Sequence, residues 1–169
     1  MQLLDNAVAR LGPAVLGQYL EGFMADLNIA ENLVRVLIIE DDPDDRDLLL
    51  YQLRKGGMDN HVKFISDGQE AFDFLMNLNA STLADELIAI FLDLKLPSLG
   101  GLELLRYLRL QDSLQSIPVI VMTSSNDPKE MEECCRLKVS SYIPKPITFT
   151  SFSKAVADVF HRPKIEANQ

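Results

Sequence analysis

Glu40-Asp41, Asp93 and Thr123 each come directly after an apolar run, and Lys145 comes at the end of the short strand signal Ser141 to Ile143. Brought together, they would make a set of three carboxylates, one hydroxyl and one ammonium. Such a set has a definite chemical use. Mg²⁺ is a hard cation that takes oxygen ligands and is well served by one or two carboxylates plus phosphate oxygens. A carboxylate can attack phosphorus and become an acyl phosphate. A lysine and a hydroxyl can then share the new oxygens. Phosphoryl transfer asks mainly for positioning and charge neutralisation. Singly, each residue has an ordinary reading. Glu40, Asp41, Asp42, Asp44 and Asp45 lie just before or within the first turn of a helix, where acids favour the positive dipole end; for Asp44 and Asp45 that is the preferred reading. Asp93 alone would be a turn former, Thr123 a cap, and Lys145 a surface charge. Their joint placement carries the argument.

Positioning these residues requires elements that end where they stand. Val34 to Ile39 is a β-branched apolar run of the kind covered on both faces of a sheet. A helix follows from Asp44 to Lys55, stopped by Gly56-Gly57. Then come a strand at His61 to Ser66, a helix at Asp67 to Leu78, a polar stretch at Asn79 to Glu86 and a strand at Leu87 to Leu92. A helix at Gly101 to Leu110 and a strand at Pro118 to Met122 follow. Asp127-Pro128 reads as an N-cap with proline at the first helical position, opening a helix to about Lys138. Ser141 to Ile143 is the fifth strand and Thr148 to Phe160 the last helix. Alternation of five strands with five helices predicts an α/β fold with a doubly wound five-stranded parallel sheet. The flavodoxin-like strand order 2-1-3-4-5 is the known pattern it matches, with the ligand site beyond the carboxyl ends of the strands.

The first 32 residues differ in kind. Leu4, Val8, Leu11, Val15, Tyr19, Phe23 and Leu27 recur every three or four positions and predict an N-terminal helical extension, interrupted at Gly12-Pro13. The expected organisation is this extension at 1–32, one domain at 33–162 and a tail at 163–169. Left bare, the stripe would be a large apolar patch; a homodimer is the preferred way to cover it, folding back on the same chain being the other.

The formal net charge of −9 argues against a general nucleic-acid partner, since duplex binding needs a basic face. With 47% apolar residues, a buried core is expected. Cys134 and Cys135 are adjacent and point different ways on a helix, so they are expected as reduced thiols in a cytoplasmic protein. No apolar run approaches the roughly 18 residues of a membrane span, so no membrane partner is expected. His61 and His161 lie away from the site end and are not read as catalytic.

Four segments together resemble the signatures of the response-regulator receiver family. They are Ile38-Ile39-Glu40-Asp41-Asp42, Phe91 to Pro97, Val119 to Ser124, and Tyr142-Ile143-Pro144-Lys145-Pro146. The resemblance covers about Val34 to Phe160. It implies a phosphorelay module that accepts a phosphoryl group on Asp93 from a sensor histidine kinase and signals through changed protein contacts. It implies Mg²⁺ as the cofactor, held by Asp41 and Asp93, by Glu40 often through water, and by the backbone carbonyl of Lys95. Thr123 matches the hydroxyl that follows the phosphoryl group inward, Tyr142 the aromatic that rotates with it, and Lys145 the lysine on the phosphoryl oxygens. Backbone N–H groups near Lys95 and Ser124 complete the anion pocket, and the Lys145–Pro146 bond is implied to be cis.

Two departures stand out. The long connection at Asn79 to Glu86, with a chain ending soon after the fifth helix, resembles the single-domain regulators paired with phytochrome-type sensor kinases. Leu137-Lys138-Val139-Ser140 stands where the family commonly has a small residue, often glycine. Since only His161 to Gln169 follow Phe160, output is expected through contacts of the fourth helix, fifth strand and fifth helix. Two other readings stay open: a Mg²⁺-dependent phosphatase of the aspartyl-phosphate type, and a receiver-like interaction module that is never phosphorylated. The first normally needs an acid/base on the nucleophile's loop, where Lys95 stands here, and a cap.

Overall fold

The computed structural model describes residues 35–55, 61–79, 87–125 and 127–160. The N-terminal extension, the Gly56-Gly57 stop, nearly all of the polar connection before the third strand, His161 and the C-terminal tail lie outside the described residues.

The strands are β1 (Val36–Ile39), β2 (Val62–Ile65), β3 (Ala89–Asp93), β4 (Val119–Thr123) and β5 (Ser141–Pro144). The helices are α1 (Pro43–Lys55), α2 (Gly68–Asn79), α3 (Gly101–Leu110), α4 (Pro128–Arg136) and α5 (Phe149–Phe160). All strand pairs are parallel, in the order β2-β1-β3-β4-β5. The predicted doubly wound, flavodoxin-like sheet is therefore the fold.

Successive strand residues serve opposite faces, as the pleat requires. Leu37, Ile39, Ile90, Leu92, Val119 and Val121 pack with Ala71 and Leu75 of α2, Leu104, Leu105 and Leu108 of α3, and Cys134 of α4. Val36, Ile38, Ala89, Phe91, Ile120 and Met122 pack with Leu49 and Leu53 of α1 and with Phe152, Ala155 and Val156 of α5. Three helices thus cover one face and two the other. Phe91 and Phe152 stack with ring centroids 5.6 Å apart, tying the central strand to α5. β1, β3 and β4 are buried throughout, which is why they read as continuous apolar runs.

Close approaches shape the site end. Gly101 opens α3, and a Cβ there would lie 2.0 Å from the carbonyl oxygen of Asp93. Its N–H donates to the Leu94 carbonyl at 3.0 Å. A Cβ on Gly68 would meet the Leu99 carbonyl oxygen at 1.8 Å. The Ser98 hydroxyl donates to Asp67, which also accepts from the N–H groups of Gln69 and Glu70 in the first turn of α2. The loop after β3 is thereby fastened to the start of α2.

The turn before β5 shows what the missing glycine costs. Lys138 adopts φ 53°, the left-handed conformation that glycine takes most readily. The Arg109 guanidinium holds this turn, donating to the carbonyls of Leu137 at 2.8 Å and Lys138 at 3.4 Å. It also donates to the carbonyls of Gln115 and Ile117, so one side chain joins two connections. Asp127 caps α4 by accepting from Lys129 N–H, with Pro128 at the start of the helix. Cys134 is buried, Cys135 is exposed, and both are free thiols. No helix among the described residues is long and apolar enough to cross a membrane.

Candidate functional site

The site lies where parallel strands end side by side. Glu40 and Asp41 follow β1, Asp93 closes β3, Thr123 closes β4 and Lys145 follows β5. Because β3 sits between β1 and β4, the Asp93 carboxylate is central. Glu40, Asp41 and Asp93 each present one carboxylate oxygen, all within 4.8 Å of one another. Glu40 and Asp93 are buried and Asp41 is exposed, so the cluster opens to solvent on one side.

Lys145 is the hub. Its ammonium donates to Asp93 Oδ2 at 2.6 Å and to Glu40 Oε1 at 2.9 Å. It also lies 2.9 Å from Asp45 Oδ2. Glu40 Oε2 is 2.8 Å from the same ammonium, so both Glu40 oxygens face Lys145. Burial pushes the Glu40 carboxyl up, Lys145 opposes this, and the neighbouring Asp93 charge adds to it, bringing the group to about 7. Burial alone would lower the Lys145 ammonium; Asp93, Glu40 and Asp45 outweigh it and raise it above the usual lysine range.

The remaining expected residues frame this cluster. The Lys95 N–H donates to Asp93 Oδ1 at 3.0 Å, so both oxygens of Asp93 are held. The Lys95 ammonium donates to Ser124 Oγ at 3.2 Å, bridging the loops after β3 and β4. Thr123 is buried; its Oγ1 accepts from Ser125 N–H at 3.0 Å and its carbonyl from Lys145 N–H at 2.9 Å. The Tyr142 hydroxyl donates to the Ser125 carbonyl at 3.0 Å. Thr123 and Tyr142 thus grip the same residue, one at its N–H and one at its carbonyl. The Lys145–Pro146 bond is cis.

Asp45 stands in the first turn of α1, as the helix-dipole reading has it, and its contact with Lys145 adds a second role. Asp42 already serves the helix end, its Oδ1 accepting from the N–H groups of Asp44 at 2.8 Å and Asp45 at 3.3 Å. A signal was present in the spacing: Asp45 stands one turn before Leu49 and two before Leu53, on the face that packs against the sheet. The shared role of Ser125 had no such signal, because it works through its backbone.

The donor set suits a hard divalent cation: three carboxylates, with neither thiol nor imidazole among them. An acidic cluster at a switch-point edge, only partly offset by one lysine, can bind such a cation and present a carboxylate nucleophile.

The response regulator receiver domain family matches residues 36–157, a span that includes every one of these residues. The chain belongs to that family. Among relatives of this receiver is the probable methanogenesis regulatory protein FilR2 of Methanothrix harundinacea (strain 6Ac). It is 27% identical over 79% of this chain and 86% of its own. Some curated relatives are longer, the match spanning half of a rice regulator and 9% of a yeast osmosensing kinase. Solved structures similar to the receiver include the bacteriophytochrome response regulator RtBRR, with 35% identity and a TM-score of 0.63. That match covers 76% of this chain and 78% of the other. The phosphorylated cyanobacterial phytochrome response regulator RcpA has 26% identity and a TM-score of 0.64, covering 79% of this chain and 96% of its own. The module is therefore the receiver domain of a two-component response regulator, similar to regulators of phytochrome systems.

Proposed function

We propose that this receiver takes a phosphoryl group from a sensor histidine kinase onto Asp93 and signals through altered protein contacts. The observation that carries this is the placement of the Asp93 carboxylate, buried between Lys145 and the Lys95 N–H and within 4.8 Å of two further acids. An Asp93 carboxylate oxygen forms the bond to phosphorus. The bond from phosphorus to the donor imidazole nitrogen breaks, and its electron pair stays with that nitrogen. Glu40, Asp41, Asp93 and the Lys95 carbonyl would hold Mg²⁺, which neutralises charge on the phosphoryl oxygens. Lys145 carries a positive charge to the same oxygens while remaining tied to the sheet edge.

Thr123 and Tyr142 are the proposed switch. In the structure the Thr123 hydroxyl is occupied by Ser125 N–H. The same hydroxyl can donate its own proton to a phosphoryl oxygen on Asp93; as Thr123 moves toward that oxygen it carries Ser125 with it, and the Tyr142 hydrogen bond to Ser125 shifts. The face formed by α4, β5 and α5, which contains Tyr142, is the proposed output surface. Similarity to bacteriophytochrome and cyanobacterial phytochrome regulators supports a phytochrome-type kinase as the donor. A cytoplasmic setting and the absence of turnover on other substrates belong to the same reading.

Incubation with acetyl phosphate and Mg²⁺, followed by intact mass, tests the proposal. One phosphoryl group should add to the wild type and none to Asp93→Asn, whose circular dichroism should be unchanged. Catalytic turnover of the donor would favour a phosphatase, and no adduct at all a non-phosphorylated module. The division at 1–32, 33–162 and 163–169 is kept as a proposal, with the helical segment joining two copies. Light scattering on full-length protein and on a version starting near Glu31 should give a dimer and a monomer respectively; equal masses would remove the segment from any dimer contact.

A further inference from the structure

The proposed chemistry leaves Asp45 without a part. Yet its carboxylate is one of three that meet the Lys145 ammonium, with Oδ2 at 2.9 Å. Glu40 and Asp93 are the other two, at 2.9 Å and 2.6 Å. An ammonium has three N–H donors, so each carboxylate has one to receive. Asp45 is not needed to cap α1, because Asp42 does that. It stands instead on the helix face that carries Leu49 and Leu53 into the core, which aims it at the strand ends.

The three partners differ in one respect. Glu40 and Asp93 belong to the group that can hold a cation, together with Asp41; Asp45 does not. A cation bound there would draw on the same two carboxylates that hold the ammonium. Lysine is a point charge on a flexible stem, and a small misplacement of a charge at a reacting centre costs rate steeply. We propose that Asp45 is a positioning residue for phosphoryl transfer, holding the Lys145 ammonium beside Asp93 when the other two carboxylates turn to the cation. This rests on the reading of Asp93 as the acceptor.

Two measurements on the full chain test it, and the first involves no phosphoryl transfer. In protein saturated with Mg²⁺ and given no phosphodonor, ¹⁵N spectra of the Lys145 ammonium should show slowly exchanging protons, and Asp45→Asn should speed their exchange by about fivefold or more. An unchanged exchange rate overturns the proposal. The second is the rate of phosphoryl uptake from acetyl phosphate with Mg²⁺. Asp45→Asn should slow it by about fivefold to tenfold. In a Lys145→Ala background the same substitution should have no further effect, because Asp45 acts through that lysine. Equal slowing in both backgrounds also overturns the proposal, since it would assign Asp45 to the helix alone. If wild type takes up no phosphoryl group, the reading of Asp93 fails while ammonium exchange still decides whether Asp45 holds Lys145.

Discussion

Glu40→Gln should make the metal-free receiver more stable at neutral pH, in a manner that depends on pH. Glu40 is 1% exposed, and its carboxyl rises from 4.5 to about 7 on folding. The folded protein therefore binds more protons than the unfolded chain between these values, so stability falls as pH rises through them. Below 4.5 both states hold a neutral group and the penalty is absent; above about 7 it is complete. At about 1.4 kcal/mol per pH unit, the shift corresponds to roughly 3 kcal/mol. Glutamine has nearly the shape of the protonated acid and cannot ionise. The variant should thus match wild type near pH 4 and exceed it by up to roughly 3 kcal/mol at pH 8, or about 5–10 °C in Tm. The assay is thermal melting of both proteins in chelator across this range, read as the difference between the two curves. A constant difference, or a variant that melts lower at pH 8, would refute the idea that burial and the Asp93 charge act on Glu40.

Other substitutions report on the metal, the loop and the turn. Asp41→Asn in chelator should melt no lower than wild type, because it removes one charge from a crowded group of acids. Mg²⁺ at about a hundred times its Kd should stabilise wild type by about 2.7 kcal/mol and the variant barely; equal stabilisation would place the cation elsewhere. Gly101→Ala sets a methyl 2.0 Å from the Asp93 carbonyl oxygen. It should cost about 2–3 kcal/mol in denaturant melts, and a neutral result would show that the start of α3 yields easily. Lys138→Gly relieves a left-handed lysine, φ 53°, and should raise stability by about 0.5–1 kcal/mol in the same assay. A loss there would mean that the lysine side chain outweighs the backbone strain.

The sequence by itself determined the sheet, its helices and the address of the site. Val36 to Ile39, Ala89 to Leu92 and Val119 to Met122 are apolar at every position because both faces are covered, and such runs are visible without a partner in view. Residues directly after those runs must lie at one edge of a parallel sheet, so Glu40, Asp41, Asp93 and Thr123 were legible as neighbours from local pattern alone. The contacts that decide how the edge works were not. Asp45 reaches Lys145 only because Leu49 and Leu53 of α1 pack on the face shared with Phe152 and Val156 of α5, which sets the rotation of α1 about its axis. Ser125 joins Thr123 to Tyr142 through its N–H and carbonyl, which every residue but proline possesses, so no residue type could reveal it. The need for Gly101 comes from its distance to a carbonyl eight residues earlier, and the strain at Lys138 is a backbone angle held by Arg109 from another helix. These are distances and angles set by how the elements sit against one another, and only packing of the whole domain assigns them.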